Sequence, residues 1–115
     1  MTNQFRGELE VNLGKKKYKT RLTVDSLIRL ETTTGQSLIK LTQRLSEGNL
    51  TLTEIASIIT PALRGGGEDI KEDEVAKIIY QSGVADGIRV CGELLSNVLS
   101  GGSEDDEEKK EVEAI

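Results

Sequence analysis

The fold class is decided by residues 5–22, FRGELEVNLGKKKYKTRL, near the start of the chain. Up to Leu13 apolar residues largely alternate with acidic or amide residues, and the alternation resumes at Tyr18 after Gly14 and three lysines. Alternation with a period of two on both sides of a glycine-containing connection is typical of a β-hairpin. Because an isolated hairpin is marginally stable in water, we expect its apolar face to cover the rest of the domain.

From Thr23 onward the apolar residues change to the spacing of α-helices. Four segments are bounded by helix start and stop signals, namely Thr23 and Gly35, Ser37 and Gly48, Thr51 and Gly65, and Lys71 and Gly83. A fifth is marked by the apolar stripe from Val84 to Leu99. Thr51 and Glu54 have the spacing of a capping box, and Pro61 is expected either to kink the third helix or to begin a new one. The sequence therefore predicts an α+β fold, mostly helical, in which an N-terminal β-hairpin is followed by about five short helices.

The apolar stripes of the helices predict which side chains form the core. In the first helix, Val24, Leu27, Ile28 and Glu31 share the expected inner face, and Leu30 flanks it. The last helix has the widest stripe, which comprises Val84, Ile88, Cys91, Leu94, Leu95, Val98 and Leu99. Gly87 and Gly92 are expected to weaken that helix slightly. The run of three glycines that ends the third helix is interpreted as a flexible connector.

The net charge of −5 arises in the last fifteen residues of the chain. Residues 1–100 carry 13 acidic and 13 basic side chains, whereas residues 101–115 carry seven acidic and two basic ones. Dense like charge behind a Gly-Gly-Ser break cannot bury apolar surface. We therefore predict one domain over residues 1–100 and a disordered acidic tail over residues 101–115. The tail either keeps the protein soluble or contacts a partner.

The composition excludes most catalytic and metal-binding sites. The chain has no His, no Trp, one Cys, two Tyr and one Phe. These counts argue against His-based triads, His/Cys zinc sites, disulfides within the chain and aromatic platforms for single-stranded nucleic acid. No nucleophile–base pair, phosphate-binding loop or calcium loop is recognisable. We expect no catalytic residue, no metal site and no cofactor, and a protein that is not an enzyme.

The expected location is the cytoplasm, with no membrane partner. No stretch reaches the roughly 20 apolar residues of a membrane span, and the N-terminus lacks the basic-then-apolar pattern of a signal peptide. Cys91 lies within an apolar stripe and is expected to be a core thiol in a reducing compartment.

Two groups of residues are candidates for contact with a partner. The first comprises apolar residues next to the acidic tail, Leu94, Leu95, Val98 and Leu99. The apolar stripes are generous for a domain of this size, so part of that surface is predicted to bind another protein. The second comprises the hairpin lysines Lys15, Lys16, Lys17 and Lys19. They are interpreted either as an electrostatic contact for an anionic partner or as a solvated turn that discourages edge-to-edge strand pairing.

The succession of motifs along the chain resembles a small phage-derived family. The motifs are Arg6-Gly7-Glu8, Leu13-Gly14-Lys15 with Tyr18, Leu30-Glu31, Thr34-Gly35, the segment from Leu38 to Leu45, and Leu63-Arg64-Gly65. In order and spacing they are similar to the gene transfer agent family of phage tail assembly chaperones, over roughly residues 5–99. Three features depart from the family pattern. Val24 stands where an aromatic residue is expected, the acidic tail looks like an extension, and the lysine-rich turn is heavier than the pattern requires.

The resemblance implies a non-enzymatic function in tail assembly inside a bacterial host cell. Chaperones of this family bind the long, helix-rich tape measure protein before the tail tube polymerises around it. The implied partners are the tape measure protein or other tail proteins, and self-association is left open. The family pattern defines no catalytic or binding residue that could be carried over to this chain.

Two other functions are alternatives to the chaperone. One is a structural minor tail component that stays in the finished particle. The other is a module that binds nucleic acid or an acidic partner through the hairpin lysines and Arg21. Nucleic acid is the less favoured partner, because the acidic tail would compete for the same side chains.

Overall fold

The chain begins with an antiparallel β-hairpin and continues as five α-helices. A computed structural model describes residues 8–100, with β1 (Glu8–Leu13), β2 (Lys16–Arg21), α1 (Val24–Thr34), α2 (Leu38–Ser46), α3 (Leu52–Gly65), α4 (Glu72–Ser82) and α5 (Val84–Leu99). The predicted α+β fold, a hairpin followed by five helices, is confirmed. Phe5 of the predicted first strand and the predicted acidic tail, residues 101–115, lie outside the described residues. Within residues 8–100, no helix is both long enough and apolar enough to cross a membrane.

The hairpin turns at Gly14 and Lys15 and presents one apolar face to the helices. Gly14 has a φ of 68°, a backbone conformation that favours glycine at the first position of a two-residue hairpin turn. The buried face comprises Val11, Leu13, Tyr18 and Thr20. The Thr20 hydroxyl donates to the Leu9 carbonyl oxygen at 2.6 Å, and this bond satisfies a polar group inside the core.

Helix α3 contacts β2, α1, α4 and α5 and forms the centre of the domain. Its large buried side chains are Ile55, Ile58, Ile59 and Leu63. It begins with the predicted capping box, in which the amide of Glu54 donates to Thr51 Oγ1 and the amide of Thr51 donates to Glu54 Oε1. The helix continues through Pro61, so this proline does not begin a new helix.

The glycines at the end of α3 approach the backbone of β2 so closely that no side chain would fit. A Cβ on Gly65 would lie 2.1 Å from the Arg21 carbonyl oxygen, and a Cβ on Gly66 would lie 2.0 Å from the Lys19 carbonyl oxygen. Because Lys19 and Arg21 are alternate residues of one strand, their carbonyls point to the same edge. The interpretation of these two glycines as a flexible connector was wrong, since they cover that edge of β2.

Helix α1 buries only part of the predicted face, on which Leu27 packs against the core. Leu30, expected to flank the inner face, is 4% exposed, whereas Val24 and Ile28 are 51% and 56% exposed. Because α1 packs mainly on α3, only a narrow stripe of its surface is covered. The predicted inner position of Val24 and Ile28 was therefore wrong, since the apolar stripe does not show which of its flanks faces α3.

Helix α5 packs closely on α4 at Gly87. A Cβ on Gly87 would lie 2.7 Å from Ile79 Cγ2, so the absence of a side chain permits a close contact between the two helices. Gly87 was expected only to weaken the helix. The predicted stripe also omits Val90, which is fully buried, and includes Val84, which is 39% exposed. The buried side of α5 is therefore shifted from the predicted stripe.

An arginine–carboxylate pair joins α2 to the start of α3, at a junction that we call the α2–α3 corner. The two terminal nitrogens of Arg44 donate to the two carboxylate oxygens of Glu54 at 2.6 and 2.8 Å. Gln36 donates to the same carboxylate at 3.0 Å. The bonds from Arg44, from the Thr51 amide and from Gln36 lower the pKa of Glu54 to about 2.

Candidate partner-binding groove

The apolar residues predicted to bind a partner do not form one exposed surface. Leu94 and Leu95 are 3% and 0% exposed and belong to the core. A partner could reach them only if α5 left the body of the domain. Val98 is partly buried and Leu99 is 43% exposed, so these two are the members of the group that a partner could contact in this structure.

The four hairpin lysines are exposed, but the fold separates them. Lys15 lies in the turn, and Lys16 lies on the side of β2 that carries Tyr18, with its Nζ 5.1 Å from the centre of that ring. The other two alternate to the opposite side of the strand, where Lys19 lies opposite Glu10. Lys17 and Lys19 therefore share the opposite face of β2, whereas Lys15 and Lys16 lie at one surface.

That surface is a groove of about 970 Å³ between the hairpin turn and the junction of α4 with α5. Its lining comprises Leu13, Gly14, Lys15, Lys16, Tyr18, Ile78, Gln81, Ser82, Ala85, Asp86 and Arg89. We call it the hairpin–helix groove. Leu13 and Tyr18 are buried and form an apolar floor, while Lys15 and Lys16 are exposed at its rim.

Hydrogen bonds between the hairpin and α5 hold one wall of this groove, at what we call the hairpin–α5 corner. The amide of Gly14 donates to Asp86 Oδ2 at 2.9 Å. Arg89 donates to Asp86 Oδ1, to the Asn12 carbonyl oxygen and to Glu93. The Gly14 amide and then the Arg89 guanidinium lower the pKa of Asp86 below its usual range. The corner therefore fixes the turn relative to the start of α5.

Sequence reasoning did not identify Asp86 and Arg89 as parts of this site. The spacing of Asp86, Arg89 and Glu93 on one helix is a recognisable pattern for ion pairs. Asp86 also bonds Gly14 and Arg89 bonds Asn12, however, and no local pattern signals these contacts between α5 and the distant hairpin. The sequence therefore indicated Lys15 and its neighbours as part of a site, but not the residues of α5 that complete the groove.

The groove combines apolar side chains with two ammonium groups at its rim. Within the described part of the chain, no group of three or more His, Cys, Asp or Glu side chains could hold a metal ion. Cys91 lies in the core, and desolvation raises the pKa of its thiol to about 12, so the reactive thiolate is scarce at neutral pH. An apolar floor beside two ammonium groups matches an amphipathic segment that carries carboxylates at its margin.

Comparison with known proteins places this architecture in a phage family. A family model described as phage tail tube protein, GTA-gp10, matches residues 6–101 of the 115. A search of curated proteins and a search of solved structures found no significant match. The matched region spans the hairpin and all five helices, and it confirms the gene transfer agent and phage tail part of the resemblance. The chain therefore belongs to the GTA-gp10 family of phage tail tube proteins.

Proposed function

We propose that the protein is a non-enzymatic tail assembly chaperone that binds the tape measure protein reversibly in the cytoplasm of the host cell. Membership of a phage tail family supports a function in tail assembly. The observation that carries the proposal is the hairpin–helix groove, because an apolar floor with a cationic rim suits the amphipathic helices of a long helical protein.

The size of the groove fits this partner. An α-helix with side chains is about 10 Å across and advances about 5.4 Å per turn, so one turn fills roughly 420 Å³. The groove of about 970 Å³ could therefore take about two turns of a partner helix. Two turns allow apolar side chains at three- and four-residue spacing to meet Ile78 and Ala85, the more accessible apolar residues of the lining, while flanking carboxylates reach Lys15 and Lys16.

The rest of the surface supports a contact that can be released. Among residues 8–100, the exposed large apolar side chains are spread over four helices, namely Val24, Ile28, Ile39, Tyr80, Val84 and Leu99. Permanent interfaces are usually larger and more apolar than such scattered residues provide. A charged rim contributes more to the rate and specificity of association than to its permanence.

The test is capture of the cognate tape measure protein, with the full chain as bait. We expect the double variant Lys15→Glu/Lys16→Glu to reduce capture about tenfold at low salt, because it reverses the rim charges. The matched control is Lys40→Glu/Lys77→Glu, which makes the same charge change outside the groove, and it should capture normally. Circular dichroism confirms that both variants fold.

Two results would contradict the proposal. Failure of the wild-type chain to capture the tape measure protein would remove the chaperone function. Equal loss in the two double variants would show that net charge, and not the groove, governs binding.

A structural tail component is the second candidate, because the family description itself names a tail tube protein. The two functions differ in the fate of the chain after assembly. A chaperone should be absent from purified particles, whereas a structural component should be present there in a fixed ratio to the other tail proteins. Quantitative mass spectrometry of purified particles separates these outcomes.

A further inference from the structure

A second groove, of about 420 Å³, lies between α1 and the second half of α3. Its lining includes Arg29, Leu30, Pro61 and Arg64, and the hydroxyl side chains Thr23, Ser26, Thr33, Ser57 and Thr60. We call it the α1–α3 groove. It shares no lining residue with the hairpin–helix groove, so a ligand here would make a separate contact.

The two arginines of this groove differ from those that close the corners of the fold. Arg44 and Arg89 each donate to a carboxylate. Arg29 makes no hydrogen bond or ion pair with any residue from 8 to 100. Arg64 donates from Nε to the Ile70 carbonyl oxygen at 2.7 Å, and this bond orients its guanidinium. Its two terminal amino groups have no hydrogen-bond partner among residues 8–100.

The remaining polar groups of the groove add little compensating negative charge. Glu72 is the acidic side chain among the lining residues, and it accepts a hydrogen bond from Ser57 Oγ at 3.2 Å. The Thr60 hydroxyl donates within its own helix, to the Ala56 carbonyl oxygen at 2.7 Å. The Thr33 hydroxyl has no hydrogen bond to any of the described residues, so it is available to a ligand. The groove therefore offers an anion two guanidinium groups and a hydroxyl donor.

We propose that the α1–α3 groove binds an acidic segment of a partner protein, with carboxylates paired to Arg29 and Arg64. Carboxylates three or four residues apart lie on the same face of a helix, so one acidic helical segment can offer a carboxylate to each arginine. This site goes beyond the proposed function, because it does not depend on which protein fills the hairpin–helix groove.

Charge favours a protein segment over nucleic acid at this groove. Duplex DNA places one phosphate per about 1.7 Å of its axis, so a bound duplex would extend well beyond two arginines. Glu72 is itself part of the lining, and Asp73 and Glu74 share the acidic first turn of α4. A duplex would bring further phosphates towards this turn, whereas a peptide can present two carboxylates alone.

The test is a nuclear magnetic resonance titration of the ¹⁵N-labelled full chain. The probe is a synthetic alanine-rich helical peptide with two glutamates four residues apart, and its matched control carries glutamines at those positions. We expect saturable shifts of the Arg29 and Arg64 Nε–H signals with the glutamate peptide only. Arg29→Gln should weaken the affinity about five- to tenfold, and the exposed-lysine control Lys40→Gln less than about twofold.

Three results would overturn the proposal. The first is equal shifts with the glutamate and glutamine peptides, since binding would not then depend on carboxylates. The second is a response centred on Lys15 and Lys16, because the acidic segment would then belong to the other groove. The third is tighter binding of a 12-base-pair DNA duplex at the same arginine signals, which would assign the groove to phosphate. None of these results contradicts capture of the tape measure protein through the hairpin–helix groove, and the second would support an acidic contact there.

Discussion

The α2–α3 corner and the hairpin–α5 corner are each closed by an arginine that donates to a carboxylate, but the two pairs differ in exposure and geometry. Arg44 holds both oxygens of Glu54, and the side chains are 20% and 17% exposed. Arg89 bonds one oxygen of Asp86, and the side chains are 44% and 24% exposed. A bidentate, shielded pair is stronger and less screened by salt than an exposed one.

The two corners are therefore expected to differ in function: the first stabilises the domain, and the second positions the wall of the groove. The α2–α3 corner ties together helices of the body, so its loss should be felt by the whole domain. The hairpin–α5 corner orients the wall of a candidate binding groove, and the hairpin is also held by its buried apolar face and by the glycines of α3. We therefore expect the loss in the free energy of unfolding to be largest for a substitution at the β2 edge, smaller at the α2–α3 corner and smallest at the hairpin–α5 corner.

The largest effect should come from Gly66→Ala at the covered edge of β2. The added Cβ would lie 2.0 Å from the Lys19 carbonyl oxygen, so the end of α3 or the strand must shift. We expect a loss of about 2–4 kcal/mol in the free energy of unfolding, because the clash is with backbone. Urea denaturation followed by circular dichroism measures it, since the chain has no Trp.

The control for this variant is Gly92→Ala in α5. A Cβ there would meet Leu45 Cδ2 at 3.7 Å, an ordinary contact, and alanine is favoured over glycine in helix interiors by up to about 1 kcal/mol. The control should therefore match or exceed the stability of the wild type. A Gly66→Ala protein as stable as the Gly92→Ala protein would mean that the hairpin is not held at this edge.

The contrast between these glycines also shows how far the sequence could go in predicting the fold. Helix starts were predictable because caps are local, as in the box of Thr51 and Glu54. The close approach of Gly66 to β2 was not, because the strand it contacts is distant in the chain and a glycine run has several local interpretations. The buried side of α1 was misassigned for a related reason. Leu30 and Ile28 are both apolar residues of one helix, and only the packing of α1 on α3 decides which of them is buried.

The candidate site was less accessible to such reasoning than the fold. Lys15 and Lys16 could be selected from their charge and their place in the turn. Their groove exists because Asp86 and Arg89 bring α5 to that turn, and this pairing arises only when the domain closes. The leucines beside the acidic tail were predicted to bind a partner from an apolar stripe. Such a stripe is equally typical of a core face, and Leu95 is in fact buried.

The second prediction concerns the α2–α3 corner. Glu54→Ala removes both the capping bond and the partner of Arg44, and it should lower the free energy of unfolding by about 1–2 kcal/mol. Glu54→Gln keeps an oxygen for the Thr51 amide but loses the charge, so it should be less damaging. Denaturation of both variants at pH 7 separates the cap from the ion pair.

The comparison of wild type with Glu54→Gln also gives a pH dependence of stability with a definite sign. The pKa of Glu54 is lowered to about 2 in the folded protein, against roughly 4.3 for an unperturbed glutamate. Its stabilising contribution is therefore complete above the unfolded value and is lost as the pH falls towards 2. The stability gap between wild type and Glu54→Gln should be largest above about pH 5 and close towards pH 2. A gap that is constant with pH would contradict the ion pair.

The smallest effect on global stability should come from Asp86→Ala at the hairpin–α5 corner. The substitution removes the acceptor of the Gly14 amide and one partner of Arg89, but water can replace both at this exposed position. We expect a loss below about 1 kcal/mol in the free energy of unfolding. Hydrogen exchange at the Gly14 amide should accelerate, because that bond is lost while the strands stay paired. If Asp86→Ala destabilised the domain as much as Glu54→Ala, this corner would be a structural anchor, and the groove wall could not adjust to a partner without cost to the whole fold.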